Sequence, residues 1–204
     1  LFADVISIPT LESTGFSSTF NAGSTFSAID NPSGIVLSDT TPTLGANIRG
    51  VAKTYPSVPF TATMLVSLPV IGQIYQGIGF VALNSLTGAL INWYLLYTPA
   101  NGITVWDWII NSWTNPTTFN ANVASAVGAA FNYGWLRYQD NGTNINFSAS
   151  NDGVNFLPIY SLVKANSLLG ATGFNFFGLM LSIGGIAGGI PLGTTVMSYS
   201  ETTP

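Results

Sequence analysis

The 204-residue chain contains no histidine and no cysteine. Without cysteine there is neither a disulfide nor a thiolate metal site, so stability has to come from packing. Without histidine the commonest general base, the usual imidazole metal ligand and the base of a serine triad are missing together. Charge is scarce as well. Arg49, Lys53, Arg137 and Lys164 are the four basic residues against eight acids, and charged residues make up 6% of the chain, where about 25% is usual. Four cations in a chain of net charge −4 cannot form the basic stripe that a phosphate backbone needs, which excludes nucleic acid as a partner.

What covers the surface is Ser, Thr, Asn, Gly and aromatics. Charge normally keeps soluble proteins apart, so the composition predicts packing against copies of the chain or against other subunits. The sequence opens on Leu1 rather than Met, as a processed product or fragment does. Leu1–Thr10 has no charged segment ahead of an apolar one and is not a signal peptide. Leu168–Leu192 is uncharged, but Gly170, Gly173, Gly178, Gly184, Gly185, Gly188, Gly189 and Pro191 interrupt it. That punctuation suits strands and turns, not a membrane span.

Short apolar runs split by Gly, Pro, Asn and Ser clusters predict an antiparallel all-β protein. The expected strands are Asp4–Ile8, Gly34–Leu37, Ile48–Lys53, Phe60–Leu68, Gln76–Asn84, Ala89–Tyr97 and Thr104–Ile110. They continue with Trp135–Gln139, Thr143–Ser150, Leu157–Leu162, Gly173–Ser182 and Thr195–Ser200. Val123–Phe131 reads as a turn of helix or a strand. With no repeat and no linker, residues 1–204 are expected to form one two-layer antiparallel β-sandwich.

The sharpest local pattern is Thr143–Ser150. Ile145, Phe147 and Ala149 alternate with Asn144, Asn146 and Ser148, which places one face in the core and one in water. Asn141-Gly142 before it and Asp152-Gly153 after it supply turns, so three consecutive strands form a meander. Leu90–Tyr97 and Thr104–Ile110 differ, being apolar or aromatic on both faces. Such strands must be covered twice, by a loop, a subunit or a ligand.

Trp135-Leu136-Arg137, the Asn141-Gly142 turn, the alternating strand ending at Ser150, then Asp152-Gly153 and Phe156 together resemble concanavalin A-like jelly-roll domains of the laminin-G and glucanase type. Phe20–Ser24, Ile35–Leu37 and Phe60–Thr63 are similar to the opening strands of such domains. Domains with this signature recur in phage tail and virion proteins. The resemblance therefore implies a jelly-roll fold and a virion or extracellular setting.

Glycosidases of this fold use carboxylates at alternate positions of one strand, because one acid donates a proton while another attacks or activates water. Here Glu12 and Glu201 lie near opposite ends, and no two acids share a strand within a few residues. No Gly-x-Ser-x-Gly elbow is present, and Gly184–Gly189 lacks the lysine of a phosphate cradle. Isolated Asp30, Asp39, Asp140 and Asp152 read as turn formers rather than calcium ligands. No metal and no cofactor are expected.

Flat aromatic faces flanked by amides suit a sugar, and the candidates are Trp93, Tyr94, Trp106, Trp108 and Trp113, with Asn92 and Tyr97 beside them. Trp106 and Trp108 share a face and Asp107 does not. The chain is thus expected to be a non-enzymatic virion structural or attachment module, oligomeric or docked on other virion subunits. The alternative is a lectin-like domain that binds a surface glycan through exposed aromatics. The sequons Asn141-Gly142-Thr143 and Asn146-Phe147-Ser148 are taken as chance matches.

Overall fold

The alternating runs form strands that stack as two sheets. The computed structural model describes residues 8–40, 47–70, 76–100, 103–127, 133–167, 173–183 and 192–203, with the side chains of 68–70, 98–100, 103–106, 127, 133 and 192 outside the description. A capped helical turn α1 (Leu11–Thr14) leads into β1 (Ser18–Phe20), β2 (Phe26–Asn31), β3 (Gly34–Asp39), β4 (Ile48–Thr54) and β5 (Phe60–Val70). Then come β6 (Gly77–Leu83), β7 (Leu90–Ala100), β8 (Ile103–Asn115), β9 (Thr118–Val127) and β10 (Tyr133–Asp140). The chain finishes with β11 (Asn144–Ser150), β12 (Leu157–Val163), a 3-10 turn at Lys164–Asn166, β13 (Phe176–Ser182) and β14 (Leu192–Thr202).

The first sheet runs β1-β4-β13-β6-β7-β8-β9 and the second β12-β11-β10-β5-β14-β3-β2, seven strands each. The described strand pairs are antiparallel. The meander of β10, β11 and β12 forms as the sequence predicts. Its second connection is a longer loop, 151–156, rather than a two-residue turn, although Gly153 does take the left-handed backbone (φ 75°).

The main core lies between the sheets. Phe60, Phe80, Trp93, Tyr138, Phe147 and Phe177 are at most 1% exposed. Their rings meet edge-on or offset, as with Tyr138 and Phe177 at 5.0 Å and Tyr138 and Phe147 at 5.6 Å between centroids. Each such ring contributes roughly 1.5–3 kcal/mol through its burial. Gly134 on β10 makes room for this packing, since a Cβ there would lie 2.4 Å from Cη2 of Trp108 on the opposite sheet.

A second apolar cluster occupies the outer face of the first sheet and includes Ile48, Val81, Leu90, Tyr94, Leu96, Ile109, Trp113 and Met180. These residues are at most 5% exposed in the isolated chain. The doubly apolar strands are therefore covered twice within one chain. Of the covers the sequence offered, a loop, a subunit or a ligand, burial within the isolated chain requires neither of the last two.

Val123–Val127 belongs to β9, which begins at Thr118, while residues 128–131 lie outside the description. Most of the Asp4–Ile8 strand and the Gly184–Gly189 segment also lie outside it. The Leu168–Leu192 stretch contributes the strand β13, and no helix of the described residues is long and apolar enough to cross a membrane.

Candidate functional site

Register across the second sheet builds two polar rows on its outer face. In β10, Leu136, Tyr138 and Asp140 are buried, so Trp135, Arg137 and Gln139 point outward. Arg137 stands opposite Thr63 of β5 on one side and Ser148 of β11 on the other, and Ser148 stands opposite Pro158 of β12. The next row carries Thr61, Gln139, Asn146 and Ser161. Ser161 donates its hydroxyl to Asn146 Oδ1 at 2.7 Å. A bulge between Phe147 and Ser148 shifts β12 against β11, and bulges commonly re-aim side chains.

Loop 151–156 walls one side. The Asp152 carboxylate accepts hydrogen bonds from the Val154 and Asn155 backbone N–H groups, the Asn155 amide and the Ser150 hydroxyl. Those bonds to the Asn155 backbone first, then its side chain, Val154 and Ser150, hold Asp152 well below the usual carboxylate range. Gly153 lies flat on Trp135, where a Cβ would come within 2.6 Å of the indole. So fixed, the loop presents Phe156, and the Arg137 guanidinium stacks 3.5 Å from the centre of its ring. Arg137 Nε also donates to Thr63 Oγ1 at 3.1 Å.

The Asp152 cap has a testable pH consequence. A depressed folded pKa means the cap contributes fully above the unfolded value, about 3.9, and is lost as pH falls through the folded one. In a carboxyl NMR titration, Asp152 should protonate below that unfolded value, with the Phe156 resonances moving in the same step.

The result is an open groove of about 640 Å³, lined by Arg137, Gln139, Asn146, Ser148, Phe156 and Tyr160 among others. Among the described residues no carboxylate lines it. At Tyr160 and Ser161 it meets a second depression of about 410 Å³, which passes β12 to Asn120 and Ser112 of the first sheet.

The aromatics singled out by sequence lie elsewhere. Trp93 is 0% exposed, in the inter-sheet core against Phe147. Trp108 is half-buried and packs on the same core, 6.0 Å from Trp93. Tyr94 and Trp113 are buried in the outer cluster of the first sheet, where Asn111 donates to the Tyr94 hydroxyl at 2.7 Å and Trp113 Nε1 donates to Asn92 Oδ1 at 3.1 Å. Burial drives the Tyr94 hydroxyl upward in pKa. Tyr97 packs partly on the core, and the Trp106 side chain lies outside the described residues. Strands with apolar residues on both faces bury their rings on both, so Trp93, Tyr94 and Trp113 offer no open face. The groove's own aromatics are Phe156, stacked on Arg137, and Tyr160, which stands opposite Phe147 on the edge strand β12 and is 38% exposed; aromatic density alone does not pick them out.

Most of the described carboxylates are occupied by local duties. Asp39 pairs with Arg49, Glu201 with Lys53 at 3.0 Å and Asp140 with Lys164 at 2.7 Å. Asp140, fully buried, also accepts from the Tyr55 hydroxyl at 2.7 Å and the Gly142 N–H at 2.8 Å. Burial raises the Tyr55 and Tyr138 hydroxyls far above the usual phenol range, so both stay protonated. Asp30 caps the Leu11 N–H at 2.7 Å. Among the described residues no three His, Cys, Asp or Glu side chains converge on a metal position.

No protein-family model matches the sequence, and no curated protein matches it. Solved structures do match, at low identity. The exoplasmic/lumenal domain of VIP36, in its Ca2+/Man3GlcNAc-bound form, superposes with a TM-score of 0.60 at 10% identity, over 98% of this chain and 88% of that one. The carbohydrate-binding module CBM66 from Bacillus subtilis gives 0.58 at 8% identity, over 92% and 97%. The fold is a concanavalin A-like sandwich. The GH43 protein BlXynB from Bacillus licheniformis gives 0.64 at 13% identity, but this chain spans only 35% of that one. These likenesses place the architecture and leave the chemistry to the site.

Proposed function

We propose that the chain is a non-enzymatic carbohydrate-binding module that holds a glycan in the groove over β10, β11 and β12. The observation that carries this reading is the lining itself: two amides, a guanidinium, hydroxyls and aromatic rings, with no carboxylate among the described residues. Amides and hydroxyls exchange hydrogen bonds with sugar hydroxyls, and aromatic rings cover the apolar faces of a pyranose. Proton transfer to a glycosidic oxygen needs an acid, and none of the described groove residues is one. The whole-length likeness to CBM66 and to the glycan-bound VIP36 domain supports the reading at the level of fold. It supports an extracellular or lumenal setting in the same way.

The virion attachment module rests on the jelly-roll resemblance and scarce charge, and the homo-oligomer on scarce charge and the strands apolar on both faces. The solved structures described above add nothing to either. The lectin-like alternative therefore becomes the main reading, with its site moved from the buried tryptophans to the polar face.

A glycan array followed by isothermal titration calorimetry tests this. Tyr160→Ala and Asn146→Ala are each expected to weaken the best ligand about tenfold, the size of one lost hydrogen bond or ring contact. The melting temperature should stay near that of the wild type, because Asn146 faces outward and Tyr160 is exposed on the edge strand β12. An array without a single reproducible ligand would sink the proposal.

A further inference from the structure

The chain has four cations, and three of them, Arg49, Lys53 and Lys164, lie within ion-pair distance of a carboxylate. Arg137 is the exception among the described residues. It is half-buried in the floor of the groove, stacked on Phe156 and held through Nε by Thr63. Both contacts orient the guanidinium, and neither neutralises it. Its two terminal nitrogens have no partner among the described residues, and partial desolvation already works against the cation. A fixed, uncompensated fork of donors at the bottom of an open groove is unlike the other three cations, which serve to tie strands together.

We propose that the glycan held in this groove carries an oxyanion, and that Arg137 reads it. This inference rests on the glycan-binding reading and narrows it to acidic sugars, bearing either a carboxylate or a sulfate ester. Arginine suits both groups because its planar fork meets two oxygens at once. The Phe156 ring and Thr63 hold the fork in one orientation, so little freedom is lost on binding. Gln139, Asn146 and Ser148 surround it with neutral donors and acceptors for the sugar hydroxyls. The absence of a carboxylate among the described lining residues matters twice, since it spares the guanidinium an internal partner and spares an acidic ligand close repulsion. With a chain net charge of −4, general electrostatic attraction cannot draw an anion here, so preference for one has to be local.

The test uses the full chain and an array carrying matched acidic and neutral glycans, then titration with two probe pairs. Polygalacturonate is compared with its methyl ester, and dextran sulfate with dextran. Wild type should prefer the charged member of at least one pair by about tenfold or more, as a charge-assisted bidentate contact gives. Preference for polygalacturonate alone assigns a carboxylate, preference for dextran sulfate alone a sulfate ester. Arg137→Gln should bring the ratio within each pair to about one while leaving the melting temperature near wild type. Arg137→Lys should fall between, because it keeps the charge and loses the fork. Array hits confined to neutral glycans, equal affinity within both pairs, or a preference that survives in Arg137→Gln would each overturn the inference while the glycan-binding reading stands. An array with no ligand overturns both.

Discussion

Trp93→Ala is expected to lower the unfolding free energy by about 3–5 kcal/mol, and the melting temperature by roughly 6–20 °C. The indole is wholly enclosed between the sheets, touching Trp108 and Phe147 at 6.0 Å between ring centres. Removing it leaves a cavity walled by rigid aromatic neighbours that cannot collapse into it. Its Nε1–H has no acceptor among the described residues, so Trp93→Phe should cost much less, because it also removes a buried donor that gains nothing. Chemical denaturation of both variants checks the ordering. Glycan affinity of the folded fraction should be unchanged in each, since Trp93 does not line the groove. A Trp93→Ala protein of normal stability that has lost its ligand would reverse the assignment of this ring to the core.

That ring shows why the sandwich was easier to read than its site. Period-two alternation in Thr143–Ser150 reports directly which residues face inward, and Ile145, Phe147 and Ala149 are buried as the pattern requires. The same pattern already marked Asn146 and Ser148 as outward. What it could not show is their neighbours. Thr63 meets Arg137 through the pairing of β5 with β10, and Asn146 meets Ser161 only after the register of β11 and β12 is set. A binding row that crosses four strands is written in no single stretch of sequence. Aromatic density, by contrast, is visible at once, but in β7 and β8 it reflects two buried faces. Edge elements were also hard to see. β9 pairs on one side only, and its small and polar residues, Asn120, Asn122, Ala124 and Ser125, show no core-facing alternation. β1 and α1 are too short to carry a period at all.

Asp39→Asn is expected to cost about 3–5 kcal/mol, because it leaves a buried guanidinium without its counter-charge. Arg49 is 7% exposed and Asp39 0%. The pair joins β4 of the first sheet to the end of β3 in the second, with Thr25 donating to Asp39 at 2.9 Å and accepting from Arg49 at 3.0 Å. It therefore acts as a polar clasp across the sandwich rather than as surface decoration. Arg49→Met alone should be similarly costly, since it strands the carboxylate. The double variant Asp39→Leu/Arg49→Met should recover most of the loss, because two apolar groups of like volume need no desolvated ions. Added salt should change the wild-type stability little, as buried pairs are poorly screened. A double variant as unstable as either single would mean that the pair contributes net stability beyond mutual neutralisation, and one as unstable as their sum would mean that the two residues are not coupled. Recovery would instead mean that its role is to fix how the two sheets align. In either case the scarcity of charge has the same physical reading: three of the four cations bind this fold to itself, and Arg137 is left facing the groove.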